Sequence, residues 1–217
     1  MITVACLDHR NYLGRGAEYV SKFRAGVARH MAQPHRFVCL TDAPDRQALP
    51  HDEIQYLPCC DKRAQLLTGW WAKLYLFEPG RFSGRVLYLD LDSVIVGPLD
   101  PIVEKTGAIY LEDWGWKHHA VAGGHLVWDA GEHKDIWAGA DSAPKRYKDD
   151  QDYITALGGW NRMRPELIRS YRYHCKKGIP DGASVIAFHG TPKPHDLGGW
   201  VADHWTDSRF TTPHSRA

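Results

Sequence analysis

The sequence predicts an α/β domain, on three observations. Short apolar runs alternate with amphipathic helical patterns, several of the runs end in an acidic or imidazole side chain, and no Gly/Ser linker or internal repeat divides the 217 residues. Residues 2–7 read as a first buried strand that ends at Asp8. Residues 17–31 follow with Val20, Phe23, Val27 and Met31 at spacings of three and four, the stripe of a helix with one wet face. Residues 37–40 form a second strand ending at Thr41-Asp42, and 54–57 a third. A short helix over 70–77 is stopped by Pro79-Gly80. Residues 85–91 give the clearest strand, which continues over 94–96 after a break. Strands at 108–111 and 125–128, a helix over 147–157 stopped by Gly158-Gly159, and a last buried strand at 185–188 complete the pattern. We expect one domain over 1–196, with an irregular tail over 197–217 rich in Gly, Asp, His and Thr.

Composition removes several function classes. Lys and Arg number 27 against 26 Asp and Glu, a formal net charge of +1, too balanced for a protein that holds a polyanion by bulk charge. The five cysteines (Cys6, Cys39, Cys59, Cys60, Cys175) are odd in number and follow no ladder, and the adjacent pair is poorly placed to close a loop. That favours a reducing compartment. There is no CxxC pair for a structural zinc site. No apolar run reaches the roughly 18–20 residues that span a bilayer. The N-terminus lacks the basic start and long apolar core of a signal peptide, so a cytoplasmic location is expected.

Two segments carry chemistry. In the first, Tyr88-Leu89-Asp90-Leu91-Asp92, strand alternation points Asp90 and Asp92 the same way. Adjacent carboxylates at the end of a buried strand stay ionised cheaply only beside a cation, and hard oxygen ligands suit magnesium or manganese with phosphates completing the shell. With 19 Asp, chance supplies roughly one or two Asp-x-Asp patterns, and the chain holds two, at Asp90/Asp92 and Asp150/Asp152. The aliphatic strand running into the first pair is what distinguishes it. In the second segment a strand delivers Phe188-His189-Gly190, then Lys193 between Pro192 and Pro194. An imidazole beside carboxylates tilts the metal toward manganese, Gly190 allows close backbone approach, and Lys193 offers a point charge to a diphosphate. The bland alternative is a strand-capping His and a surface Lys. Of the nine Trp, most read as core; Trp114 and Trp116, with His118, fall in a loop that suits a substrate wall.

These residues resemble the metal-dependent glycosyltransferases of the GT-A fold, most closely glycosyltransferase family 8 and its relatives. The match rests on Tyr88-Leu89-Asp90-Leu91-Asp92, Asp150-Gln151-Asp152, and His189-Gly190 with Lys193-Pro194, in the family's order, and extends from the first strand to about residue 195. In the family the metal His lies three residues before the Gly, where this chain has Ala187; His189 shares that strand face by period two. The family's Asn-Ser-Gly appears as Ala122-Gly123-Gly124.

The resemblance implies a Rossmann-like GT-A domain with a mixed central sheet, and a hexosyl- or pentosyltransferase. It would move a sugar from a nucleotide-diphosphate donor, a UDP-sugar above all, to a hydroxyl acceptor with retention of configuration. Asp90, Asp92 and His189 would hold manganese, with magnesium as the substitute. Lys193 and Gly190 would contact the diphosphate, Asp150 and Gln151 would face the donor sugar, Lys73 would reach the donor, and Leu7, Asp8 and Tyr12 would line the nucleotide site. The acceptor stays open among a glycan, a lipid-linked sugar, a protein and a modified base. Two other readings stay open: a nucleotidyltransferase of related fold, and a catalytically silent sugar-nucleotide or glycan-binding module.

Overall fold

The computed structural model describes residues 1–58 and 61–207; Cys59, Cys60 and residues 208–217, with what was expected of them, lie outside the described residues. The strands are β1 (Ile2–Asp8), β2 (His35–Thr41), β3 (Ile54–Tyr56), β4 (Arg85–Leu89), β5 (Ser93–Ile95), β6 (Gly107–Tyr110), β7 (Val121–Asp129), β8 (Ile168–Ser170) and β9 (Val185–Ala187). Six of them form the main sheet in the order β3-β2-β1-β4-β7-β6. β1 pairs in parallel with β2 and β4, while β7 runs antiparallel to both β4 and β6, so the sheet is mixed.

Alternation along the strands sorts the core into two layers. Val4 and Cys6 of β1 join Leu87 and Leu89 of β4 on one face. There they meet Tyr19, Val20, Phe23 and Val27 of α1 (Gly16–His30), the stripe expected from the sequence. Ala5, Val86, Tyr88 and Leu126 face the other layer. That layer is closed by a 3-10 helix (Gly69–Phe77) and by segments that follow α2 (Lys62–Leu66) and α3 (Asp100–Val103): α4 (Lys134–Ala138), α5 (Ala143–Arg146) and α6 (Asp150–Leu157). Phe23 and Leu87, at 1% and 0% exposure, each contribute about 1.5–3 kcal/mol by leaving water.

Four local expectations change. Residues 94–96 were expected to continue the strand of 85–91, but the chain turns at Asp90–Ser93, with the Ser93 N–H donating to the Asp90 carbonyl at 2.9 Å. β5 therefore leaves the main sheet and pairs antiparallel with β9, which also pairs with β8 in a second, three-stranded sheet. The last strand expected at 185–188 belongs to that sheet too. Residues 70–77 are 3-10 rather than α-helical, with six residues buried and little wet face. α6 begins at Asp150, because the Asp149 carboxylate accepts the Asp152 N–H and caps it. After α7 (Tyr171–His174), the expected irregular tail instead holds α8 (Trp200–His204). Val201 and Trp205 are buried, and the Trp205 ring lies edge-on to Tyr19 at 4.9 Å with Lys22 Nζ 3.7 Å above it. A tail rich in polar residues still anchors because two apolar side chains at a spacing of four share one face.

Candidate active site

The carboxyl ends of β1 and β4 and the start of β7 meet at one edge of the main sheet, where open α/β sheets bind ligands. Strand β4 stops at Leu89, and the Asp90 N–H donates to the Gly124 carbonyl at 2.8 Å. The turn over Asp90–Ser93, not the strand pleat, brings Asp90 and Asp92 to the same cleft. Room for them comes from β7. A methyl group at Gly124 would stand 2.3 Å from Asp90 Oδ2, and one at Gly123 would stand 2.9 Å from Asp150 Oδ2. The small pair Gly123-Gly124 is therefore required where two carboxylates, Asp90 and Asp150, crowd one strand. Gln151 Oε1 accepts the Gly123 N–H at 3.1 Å and ties α6 to the same place.

Two lysines hold these acids. Lys73 Nζ lies 3.1 Å from Asp90 Oδ2 and 3.5 Å from Asp150 Oδ2, and Lys193 pairs with Asp92 Oδ2. Tyr88 and Tyr12 donate their hydroxyls to Asp90 Oδ1 (2.7 Å) and Asp92 Oδ2 (2.9 Å). Burial works against the Lys73 charge, but Asp150 and Asp90 outweigh it and hold the ammonium protonated. Burial likewise opposes the Asp90 charge, yet Lys73 and the neighbouring His125 keep its carboxyl below the usual range. Asp92 and Asp150 are raised, Asp92 by burial and by Asp90, Asp150 by burial. Three carboxylates face two ammonium groups, so the cluster retains an unmet demand for positive charge. Asp150 Oδ2 is buried with no hydrogen-bond partner.

The loop after β1 is strained into place. Arg10, Asn11 and Leu13 have φ of 56°, 55° and 52°, left-handed values that cost a non-glycine residue on the order of 1 kcal/mol or more each. Asp42 accepts the Arg10 N–H through both oxygens at 3.1 Å, Asp8 accepts the Tyr12 N–H at 2.8 Å, and Asn11 accepts the Gly16 N–H at 2.9 Å. Leu7, Arg10 and Tyr12 thereby line a cavity of about 350 Å³, faced by Trp70, Lys73 and Asp90. Asp8 does not line it. Its carboxylate is fully buried and held by the Tyr12 N–H, by Gln47 Nε2 and by Arg46 3.7 Å away, so it builds the loop.

A second cavity, of about 540 Å³, opens on the other side of Asp90 and includes Asp92, Gln151, Trp114, Trp116 and His189. His189 is not free to turn toward the acids. Its Nε2 shares a 2.6 Å hydrogen bond with Ser170 Oγ, and its ring stacks on Trp114 (5.4 Å) and Tyr173 (5.7 Å). Gly190 adopts φ 71° beside Arg172, whose Nη2 would be 3.2 Å from an added methyl, so the turn it makes faces a side chain of this chain. Trp71 and Trp128, read as core, are buried, and Trp70 is 57% exposed; of the loop expected as a substrate wall, Trp114 is buried and Trp116 40% exposed. Sequence reasoning also missed His125. It is 96% buried opposite Leu89, with Nε2 on Ser93 Oγ at 3.1 Å and Nδ1 without a partner. Only the cross-strand register reveals it.

Solved structures share this arrangement of strands. Over 94% of this chain and 93% of theirs, an active-site mutant of LgtC superposes with a TM-score of 0.63 at 16% identity. The galactosyltransferase LgtC with donor and acceptor sugar analogs gives 0.61 at 18% identity over 88% of each chain. The glycosyltransferase GlyE of Streptococcus pneumoniae gives 0.63 at 13% identity, over 89% of this chain and 56% of GlyE. The fold is that of the GT-A glycosyltransferases. No protein-family model and no curated protein matches the sequence.

The metal that the glycosyltransferase resemblance implies fits this site in part. Two carboxylates on one turn and a cluster short of positive charge suit an oxygen-ligated divalent cation that shares its shell with phosphates. A manganese centre with an imidazole ligand does not fit. Ala187 stands where the family's His would be, and His189 is committed to Ser170. Among the described residues no group of three or more His, Cys, Asp or Glu side chains is arranged to hold a metal ion. Nor is any helix among the described residues long and apolar enough to cross a membrane.

Proposed function

We propose that this chain is a glycosyltransferase that transfers a sugar from a nucleoside-diphosphate donor, a UDP-sugar in the first instance, to a hydroxyl acceptor. The observation that carries this reading is the acid–lysine cluster at the junction of two cavities, one of about 350 Å³ and one of about 540 Å³, with Asp90 in the wall of both. A nucleotide sugar has that form, with a nucleoside at one end, a sugar at the other and a diphosphate between them. The nucleoside occupies the smaller cavity, where Leu7 and Tyr12 lie on one side and the exposed ring of Trp70 offers an aromatic face. The sugar occupies the larger one, under Gln151. The similarity to LgtC, solved with donor and acceptor sugar analogs, supports a donor and an acceptor as the ligands.

In the transfer, the bond between the anomeric carbon and the diphosphate oxygen breaks, and its electron pair leaves with the nucleoside diphosphate. A bond to the acceptor oxygen forms, and the acceptor's proton passes to the departing phosphate. Negative charge therefore grows on the leaving group. Lys193 and Lys73 are placed to meet it, and fixed charges in a partly dry cleft stabilise such charge far better than water-exposed ones. A divalent cation held by Asp90 and Asp92 would add Lewis-acid stabilisation at the same oxygens. The Gln151 amide orients the sugar for retention of configuration, with Asp150 buried behind it against Lys73, and the Trp114–Trp116 wall receives the acceptor.

The test is a panel of nucleotide sugars, UDP-galactose and UDP-glucose first, incubated with manganese, with magnesium and with chelator. Release of nucleoside diphosphate from one donor, lost in Asp92→Asn, is the expected result. Consumption of a nucleoside triphosphate with pyrophosphate release would favour a nucleotidyltransferase instead, and binding without release even with acceptor glycans present would mean a silent module.

A further inference from the structure

Two exposed aromatic rings stand side by side at the larger cavity. Trp116 lines it and Tyr173 meets Trp116 edge to face, with ring centroids 6.4 Å apart and planes at 77°. Each is 40% exposed, yet each is fixed in place. The Trp116 N–H donates to the Leu111 carbonyl at 3.2 Å, after a turn in which Gly115 takes φ 85°. Arg162 holds the same loop through Glu112 and Asp113. Tyr173, on α7, stacks with His189, and His189 stacks with the buried Trp114 at an interplanar angle of 10°. Trp116 stands edge-on to that imidazole too, at 6.4 Å. Ser170 Oγ anchors His189, and the Ser170 N–H donates to His174 Nδ1 at 3.0 Å. Folding hides large rings wherever packing allows, so a pair held rigid and left half wet beside a cavity marks a face kept for a ligand.

We propose that Trp116 and Tyr173 form the acceptor platform, and that the acceptor is a neutral glycan whose sugar ring lies against them. The proposal rests on the glycosyltransferase reading above and names the acceptor class that it leaves open. Shape and charge both favour this occupant. A pyranose has a face of C–H groups, which an aromatic face covers, and a rim of hydroxyls that needs polar partners. The cavity supplies that rim with Asp149, Asp152, His118 and Lys148. Carboxylates accept hydrogen bonds from hydroxyls and repel phosphates. Lys73 and Lys193 answer Asp90 and Asp92, which leaves Asp149 and Asp152 facing Lys148, the one lysine or arginine in the lining among the described residues. A nucleic acid or a lipid-linked diphosphate would bring more negative charge to that side. A flat base is also poorly served, because the two exposed rings meet at 77° and make a corner, not a parallel slot. His189 thus contributes its ring, as a support that joins Tyr173 to the buried Trp114.

The test is saturation-transfer NMR on the full chain without donor. The probes are three neutral disaccharides (cellobiose, maltose and lactose), sialyllactose as an acidic glycan, and guanosine as a base. At least one neutral disaccharide is expected to receive saturation, strongest on the ring protons of one face. Its affinity should fall at least about fivefold in Trp116→Ala and in Tyr173→Ala, and much less in Trp116→Phe, which keeps an aromatic face. Far-ultraviolet circular dichroism like that of wild type shows that each variant is folded. The proposal is overturned if no neutral disaccharide receives saturation, if both alanine variants bind like wild type, or if sialyllactose or guanosine binds more tightly than every neutral sugar. Release of nucleoside diphosphate from a nucleotide sugar, with no glycan bound in any arm, would remove the platform and leave the donor reading standing. Glycan binding lost in the alanine variants, by a chain that cleaves no donor, would sink the donor reading and support the platform as a glycan site.

Discussion

The ammonium of Lys73 lies between Asp90 and Asp150, 3.1 Å from one Oδ2 and 3.5 Å from the other, and joins the turn after β4 to the first residue of α6. Lys73 and Asp150 are largely removed from water and Asp90 is 32% exposed, so the Lys73 and Asp150 charges above all depend on their partners. Removing one partner of such a group costs more than the group contributes as a whole, because the remaining charges are left buried and unpaired. Lys73→Met is expected to lower stability by about 3 kcal/mol and to reduce donor turnover by more than about a hundredfold. Adding Asp150→Asn should restore part of the stability and none of the turnover. Urea unfolding of the two variants measures this, and additive losses in the double variant would show that the residues do not act as a unit.

Gly124 sets the space for Asp90. A methyl group there would stand 2.3 Å from Asp90 Oδ2, so Gly124→Ala must displace the carboxylate or the strand. We expect about 1–3 kcal/mol of destabilisation from overpacking and a loss of donor turnover far larger than the stability change explains. Gly198→Ala is the control, since nothing lies within 4 Å of the added methyl. Equal behaviour of the two variants in unfolding and turnover would remove the steric argument.

His125 makes the fold sensitive to mild acid. Burial pushes its imidazole from the ordinary 6.5 down to about 4, against a raising influence from Asp90. The unfolded chain takes up this proton below about pH 6.5, whereas the folded protein refuses it until about pH 4. The stability due to this residue is thus complete above pH 6.5 and is lost as pH falls through that window, by up to about 3 kcal/mol. Denaturant unfolding of wild type and His125→Phe at pH 7.0, 6.0 and 5.0 should give a stability difference that shifts in favour of the variant at lower pH. A difference independent of pH would mean that His125 does not titrate between the two states.

Much of this was legible in a single sequence, and the reason is local. The first strand ending at Asp8 and the strand running into Asp90 are written as continuous apolar runs, because both faces of the sheet are covered, and α1 as a stripe of period 3.6, because one of its faces is wet and one dry. The same locality marks Tyr88-Leu89-Asp90-Leu91-Asp92, where an aliphatic run meets its acids, and Asp150-Gln151-Asp152 at a helix start.

What no period records is which residues meet. That β5 leaves the main sheet for β9 follows from a turn closed by one backbone hydrogen bond, and the same turn, not the pleat, aligns Asp90 with Asp92. His189, an expected metal ligand, is held on Ser170 by a strand of three residues too short to leave a pattern. Asp8, an expected nucleotide contact, is consumed by a loop anchored across Gln47 and Arg46. The pairings of Lys73 with Asp150, 77 positions later in the chain, and of Lys193 with Asp92, 101 positions apart, complete the site. Local order depends on neighbours a few residues away, so the chain states it directly. The charge balance of a buried cluster depends on every group brought within a few ångströms, and that is set only when the strands and loops have closed around it.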